Sequence, residues 1–398
     1  MKLRMLFVSP EFPLPPFSGG CLRTLSLLRC LAEHFDIHLV TFAEAQPDDK
    51  DLKTLRSRVA DVTVLPLQVH HRTRLWRYAR NLRRALRFMP PLVERFSEAC
   101  VRPAVGRLLE GKVDWVWLEH LWLAPYVAGI PRSCATVLDV HNVESDFYRQ
   151  LRHFARNPLE QLGYYVFEHA SSRVERQHLA SFDRVLAVSP EDRDLLARNC
   201  APEKIFIVPN AVELGPPPSE DGGSACTMYF AGRLDYAPNR EAVSWFHRQV
   251  WPLIRGRLPE VRWTIVGAHP ELLREEILRD PQTVLTGSVE KTEPYLRSSS
   301  VVVVPLSVGG GTRFKILEAW SAGKAVVSTA KGAAGLAAFQ GDNIWTANEP
   351  GKFADAVVRL LSDSSLRARL GRRGWETVQE RYSWERAKAS LETALFSS

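Results

Sequence analysis

Residues 301–329 read VVVVPLSVGGGTRFKILEAWSAGKAVVST. Four valines run into a proline, and three glycines follow at 309–311. A helix-forming run then leads through Gly323 to a second apolar segment, KAVVST. An unbroken apolar run carries no polar alternation, so it reads as a strand covered on both faces, as in a parallel sheet. Glycine lets successive backbone N–H groups turn toward one point. The helix expected from about Thr312 presents further unpaired N–H groups and the positive end of its dipole. Arg313 and Lys315 add positive charge. The stretch therefore suits an anion, phosphate first. Two common phosphate fingerprints are absent: Phe314 breaks GxGxxG, and Ala325 follows Gly323-Lys324 where a P-loop needs Ser or Thr. Taken alone, the glycines fit a chain-turning loop as well.

The same grammar runs outward in both directions. Upstream, LRMLFVS (3–9), DIHLVTF (36–42), VDWVWLE (113–119), CATVLDV (134–140), RVLAVS (184–189) and KIFIVP (204–209) read as buried strands with helices between them. At 215–224 the text changes to GPPPSEDGGS, which cannot build a core and reads as a linker. The pattern then restarts with TMYFAG (227–232), RWTIVG (262–267), TVLTG (283–287) and the two strands quoted above. Strands alternating with helices predict doubly wound parallel sheets. With 398 residues, two domains are expected: 1–212, a linker over 213–225, and 226–398. The last helix, about 383–398, is expected to return to the first domain. Ligands in such sheets bind beyond the carboxyl ends of the strands.

Composition narrows the function. Lys plus Arg outnumber Asp plus Glu by 52 to 45, a net charge of +7 that suits an anionic partner. Six cysteines show no metal-ligand or CxxC spacing and read as free, mostly buried thiols. No apolar run approaches the ~18 residues of a membrane span, and the N-terminus lacks a signal-peptide core. The expectation is a cytoplasmic protein with peripheral contact at the inner membrane face. The segment HHRTRLWRYARNLRRALRFMPP (70–91) holds no acidic residue. Its Leu75, Ala79, Leu82, Leu86 and Met89 recur at helical spacing, flanked by Trp76 and Phe88. Trp76, Arg77, Arg80, Arg83, Arg84 and Arg87 are the candidates for contact with an anionic membrane or acceptor. No nucleic-acid motif accompanies this charge.

The stretch GGGTRFKILEAWSAGKAVVST resembles the signature region of retaining glycosyltransferases of family 4. SGG at 18–20, HN at 141–142, VLAVSPEDRDLL (185–196), IFIVPNAVE (205–213), FAGRLD (230–235), IVGAHP (265–270) and LTGSVE (285–290) resemble that family's other segments, in order along nearly the whole chain. The resemblance implies a GT-B fold, two Rossmann-like domains facing each other across a cleft. It implies transfer of a sugar from a nucleoside diphosphate donor to a glycan or lipid-linked acceptor, with retention at the anomeric carbon, in cell-surface polysaccharide or glycoconjugate synthesis. It implies no metal and no cofactor beyond the donor substrate, in a monomer or homodimer.

By the same resemblance, His141, Arg233 and Glu318 carry the chemistry. Gly19, Gly20, Asn142, Gly267, Ser288, Val289, Gly309, Gly310, Gly311, Thr312, Arg313 and Lys315 bind the donor. Glu318 would accept hydrogen bonds from both ribose hydroxyls, a task suited to an acceptor-only carboxylate. His141 would donate near the donor sugar without a permanent charge, and His120 is a weaker candidate on the acceptor side. Two positions depart from the family. Its first motif Glu is replaced by Gly310, which makes this a glycine-rich-loop variant. Its Lys, six residues after the Arg, is replaced by Asn239. Arg313 and Lys315 are the candidates to restore the missing cation, and Arg313, in the first helical turn, is the favoured one. These departures leave open a non-catalytic nucleotide-sugar-binding subunit or a sugar epimerase.

Overall fold

The computed structural model describes residues 2–16, 18–67, 73–97, 105–108, 113–155, 157–218 and 226–397. Two units divide the chain: Met1–Pro209 with Lys388–Ser398, and Asn210–Ala387. Of the expected linker, residues 219–225 lie outside the described residues; Gly215 before them bonds Ser321 and Trp375 of the second unit.

The first unit holds a seven-stranded parallel sheet. Its strands are β1 (Leu3–Ser9), β2 (Phe35–Ala43), β3 (Asp61–Pro66), β4 (Trp115–Glu119), β5 (Ala135–Val140), β6 (Arg184–Ala187) and β7 (Ile205–Ile207). Their spatial order is β3-β2-β1-β4-β5-β6-β7. The second unit repeats the plan with β8 (Thr227–Ala231), β9 (Arg262–Val266), β10 (Thr283–Leu285), β11 (Val301–Val304), β12 (Ala325–Ser328) and β13 (Trp345–Thr346), ordered β10-β9-β8-β11-β12-β13. Both are Rossmann-like. Sequence reading overlooked β3 and β13. Both lie at sheet edges, where one-sided pairing and partial burial leave no continuous apolar run.

Side chains explain the two-sided burial. Along β1, Leu6 and Val8 enter one core while Met5 and Phe7 enter the other, because successive side chains point to opposite faces. Phe7 stacks on Trp117 of β4 at 5.4 Å. In β11, Val301 and Val303 face one core and Val302 and Val304 the other. Each such side chain contributes about 1.5–3 kcal/mol of burial, so the four-valine run can sit nowhere but mid-sheet. The final helix, Trp384–Phe396, places Leu391, Ala394 and Leu395 in the core beneath β1 and β2.

The strand order reverses between β1 and β4 and again between β8 and β11. At such a switch point neighbouring loops diverge to opposite faces and leave a crevice beyond the strand ends. In the first unit it is bordered by the loop into helix α1 (Gly19–Leu31) and by the ends of β4 and β5. In the second it is bordered by the loops after β8 and β11.

Candidate functional site

In the first unit, β4 and β5 pair in register with Glu119 opposite Asp139. Two carboxylates side by side in a buried sheet repel unless a cation separates them. Arg23 of α1 supplies it. Its Nε and Nη2 donate to Asp139 at 2.8 and 2.6 Å, and Nη1 donates to the Val208 carbonyl at 3.0 Å. Thr24 Oγ1 donates to Glu119 at 2.8 Å. His141, two residues beyond Asp139 on the same strand face, sets Nε2 3.0 Å from Asp139 and 3.7 Å from Glu119. Burial alone would lower the His141 pKa, but Asp139 and then Glu119 outweigh it and hold it up at about 9. For Asp139, burial is outweighed by Arg23 and His141, which keep it well below the usual carboxylate range. The expected uncharged donor at 141 is therefore an imidazolium.

His120 joins this cluster. Its ring lies 3.8 Å from that of His141 and stacks on Trp122 at 4.0 Å. Burial and the neighbouring His141 charge push His120 well below its ordinary value, so it is neutral. Trp122 Nε1 in turn donates to Glu144 at 3.0 Å; burial pushes that carboxyl up to about 7. Ser18 caps α1 by accepting from the Cys21 N–H and donates to Glu11 at 3.1 Å. Gly19 opens the helix, and a Cβ on Gly20 would lie 3.8 Å from His141 Nδ1. Asn142 follows in the half-buried turn after β5.

Among the described residues, Glu119, Asp139 and His141 form the one acidic and histidine group compact enough to consider for a metal. Its donor set argues against one. Both Asp139 oxygens serve Arg23, Glu119 serves Thr24, and His141 Nε2 faces Asp139. A dication there would have to displace a guanidinium from its two-point pair.

The second unit is organised differently. The loops after β8 and β9 touch so closely that a Cβ on Gly267 would lie 2.1 Å from the Gly232 carbonyl oxygen. Arg233 is held by Asp235 through two bonds, at 3.1 and 2.6 Å, on the surface. In the glycine triplet, Gly311 takes a φ of +64°, which favours glycine. The helix after it runs Phe314–Ser321, two residues later than expected; Arg313 occupies its N-cap position. Thr312 is buried and accepts from Asn210 Nδ2 at 2.8 Å. Ser288 is exposed in the loop after β10, while Val289 packs on the core under β11.

The two candidate cations part ways. Arg313 folds back on the triplet and donates to the Gly310 carbonyl. A Cβ at Gly309 would lie 2.5 Å from Arg313 Nη2, so that glycine makes room for the guanidinium. Lys315 instead donates through Nζ to Asn239 Oδ1 at 2.8 Å and lies 4.4 Å above the Phe230 ring. Asn239 is fastened from its other side, where Nδ2 donates to the Arg233 carbonyl at 2.9 Å. Lys315, not Arg313, thus brings a cation to position 239. Helical rotation counted from Thr312 pointed the wrong way because the helix begins at Phe314.

Burial pushes Lys315 down to about 7, aided by Arg313 and opposed by Glu318. Glu318 sits one turn into the helix. Burial pushes it up to about 7, with Lys315 opposing. Among the described residues, its carboxylate makes no hydrogen bond or ion pair, and it is half-buried.

Sequence reading missed Arg23, Glu119 and Asp139. A signal existed: a carboxylate inside the otherwise apolar run CATVLDV, two residues before His141, must share that histidine's face. The five described cysteines are free, as expected; Cys100 lies outside the described residues.

Residues 225–363 match the family model described as glycosyl transferases group 1, and residues 18–215 match that of glycosyltransferase family 4. A Klebsiella pneumoniae protein described as an uncharacterized 44.6 kDa protein in the cps region is 22% identical over 405 residues, 98% of each chain. Among solved structures, Anabaena HepE in complex with UDP-glucose superposes with a TM-score of 0.69 at 15% identity, covering 100% of both chains. Sucrose-phosphate synthase from Thermosynechococcus elongatus gives 0.70 at 16%, over 98% of each. TarM of S. aureus gives 0.72 at 11%, over 100% of this chain and 99% of its own. Those identities speak for the fold. The two family matches cover the two Rossmann-like units in turn, and the glycine triplet and Glu318 helix fall within the second, so the chain belongs to the group 1 glycosyltransferases of family 4, with the GT-B fold.

Proposed function

We propose that this glycosyltransferase moves a sugar from a nucleoside diphosphate donor to a glycan or lipid-linked acceptor, with retention of anomeric configuration, in the synthesis of a cell-surface polysaccharide. The observation that carries this reading is Glu318. It is an uncommitted, half-buried carboxylate one turn into the helix that follows a glycine triplet, with Lys315 beside it. A carboxylate raised toward neutrality by burial recovers its charge when two hydroxyl donors arrive, and vicinal ribose hydroxyls offer that pair. The glycine amides and Lys315 then meet the diphosphate. Stabilising that leaving group is the main demand of the transfer. HepE was solved with UDP-glucose, which makes UDP-sugars the first donors to test. The Klebsiella relative's cps region supports a polysaccharide setting.

The test is a thermal-shift panel of UDP-, GDP-, ADP- and dTDP-sugars, followed by slow hydrolysis of the best binder without acceptor and proton NMR of the sugar released at early times. One donor should raise the melting temperature by mass action and release sugar in the donor's own anomeric form. Tight binding with no turnover would make the chain a sensor subunit, and inverted product would remove retention. Interconversion of donor sugars would favour an epimerase.

A further inference from the structure

The arginine-rich helix α2 (Arg74–Leu86) is turned inside out. The apolar positions of an amphipathic surface helix normally face the core. Here Ala79, Leu82 and Leu86 face water, with Leu82 62% and Leu86 80% exposed. On a helix advancing about 100° per residue these three lie within about 60° of one another, and Tyr78, 67% exposed, borders them. The residue that faces inward is Arg84, about 180° away around the wheel. It is 6% exposed, donates to Glu94 and to Asn81 Oδ1 at 3.3 Å, and acts on buried Tyr148. Arg84 therefore leaves the set of expected membrane contacts; it is the anchor that fixes the helix with its leucines outward. Arg83 and Arg87 stay exposed on the flank, while the Arg77 side chain lies outside the described residues.

A second element continues the surface. Helices α3 (Glu144–His153) and α4 (Pro158–His178) form a hairpin on which α2 packs. The turn and the first part of α4 expose Phe154, Leu159, Leu162 and Tyr165, with Leu159 at 82%. Arg149 is half exposed, and Arg152 lies over the Tyr165 ring at 5.5 Å. Two adjoining elements of one unit thus present leucine and aromatic side chains edged with arginine. Apolar exposure gathered on two neighbouring elements marks a surface that something covers.

We infer that α2 and the α3–α4 turn form a docking face for an anionic lipid bilayer. Charge chooses this occupant. The segment 70–91 has no acidic residue, so a second copy of the chain on the same face would bring two arginine-rich helices together. A bilayer takes the leucines among its acyl chains and the flanking guanidiniums among its phosphates, along which arginine stems can extend. The inference goes beyond the transferase reading and is tested without donor or acceptor.

The experiment is co-sedimentation of the full chain with vesicles of phosphatidylcholine alone or containing about a third phosphatidylglycerol. The protein should sediment with the anionic vesicles at least roughly tenfold more strongly than with the neutral ones, and less so in high salt. Leu82→Asp with Leu86→Asp should reduce that binding about tenfold or more. Both side chains are exposed, so the melting temperature should be unchanged. Arg83→Glu with Arg87→Glu should remove the preference for anionic lipid, and Leu159→Ser with Leu162→Ser should weaken binding by a smaller factor. Wild-type protein that ignores anionic vesicles overturns the inference, as does an L82D/L86D protein that binds like wild type. A concentration-dependent dimer abolished by L82D/L86D would equally overturn it and give the face to a second copy.

Discussion

The two switch points have the same origin in a parallel sheet and opposite electrostatics. In the first unit, Arg23, Asp139, His141, Glu119 and Thr24 saturate one another within a few ångströms, and the cluster is almost wholly buried. In the second, Glu318 has no such partner among the described residues, and both Glu318 and Lys315 are pulled toward neutrality. A closed network holds a frame in place. An open pair, with charges suppressed by burial, gains when a ligand supplies the missing donors and the missing anion. The difference teaches where to look for binding and where to look for stability.

The sharpest way to break the contrast is at Asp139. Asp139→Asn leaves Arg23 facing a neutral amide in a buried site, and should cost about 3–5 kcal/mol of stability. Urea unfolding measures it; a loss below about 1 kcal/mol would mean that Glu119 alone can carry the network. Glu318→Ala should do the reverse. Stability should hold or rise, because a costly buried carboxyl is gone, while calorimetry should show donor affinity weakened by about 2–4 kcal/mol. Unchanged affinity would remove Glu318 from the site.

Lys315 sharpens the comparison further. Lys315→Met should weaken binding of the nucleoside diphosphate by about 1.5–3 kcal/mol and leave the nucleoside unaffected. Adding Asn239→Lys to that variant should restore part of the loss, because the ammonium group returns to the same place from the helix Ala237–Trp245. A double-mutant cycle in which the two changes simply add would refute the exchange.

The smallest expected effect is on pH dependence. The diphosphate of a nucleotide-sugar does not titrate near neutrality, so the protein sets the profile. In the proposed site, binding calls for a protonated Lys315, a condition met below about 7 and lost as pH rises through it. It calls for an ionised Glu318, met above about 7 and lost as pH falls. Affinity should therefore peak near neutrality and fall on both sides, with the alkaline limb absent in Lys315→Met and the acid limb absent in Glu318→Gln. A flat profile in the wild type would mean that neither group changes its charge on binding.

Much of this was legible from residue order. Unbroken apolar runs announced parallel strands because burial on both faces leaves no polar alternation, and the glycines announced a loop whose amides can turn toward one point. The edge strands β3 and β13 escaped because half-exposed positions carry mixed side chains. The Arg23–Asp139 pair spans 116 residues of sequence, and no local spacing records it.

The quoted stretch by itself determined that a buried strand ends in an amide-lined loop and a helix, since valine and glycine have few alternatives there. It also held Gly310, a departure from an expected pattern, and Lys315, a candidate to replace the cation missing at Asn239. That Lys315 and Asn239 meet was decided only by the tertiary structure, because they come from the helices that follow β11 and β8, which adjoin only once the sheet forms. The same holds for α2. Its sequence specifies two faces, one of leucine and one of arginine, but which face turns inward depends on Glu94 standing where Arg84 can reach it. Local sequence sets the periodicity of a helix, and the partner packed against it sets its rotation.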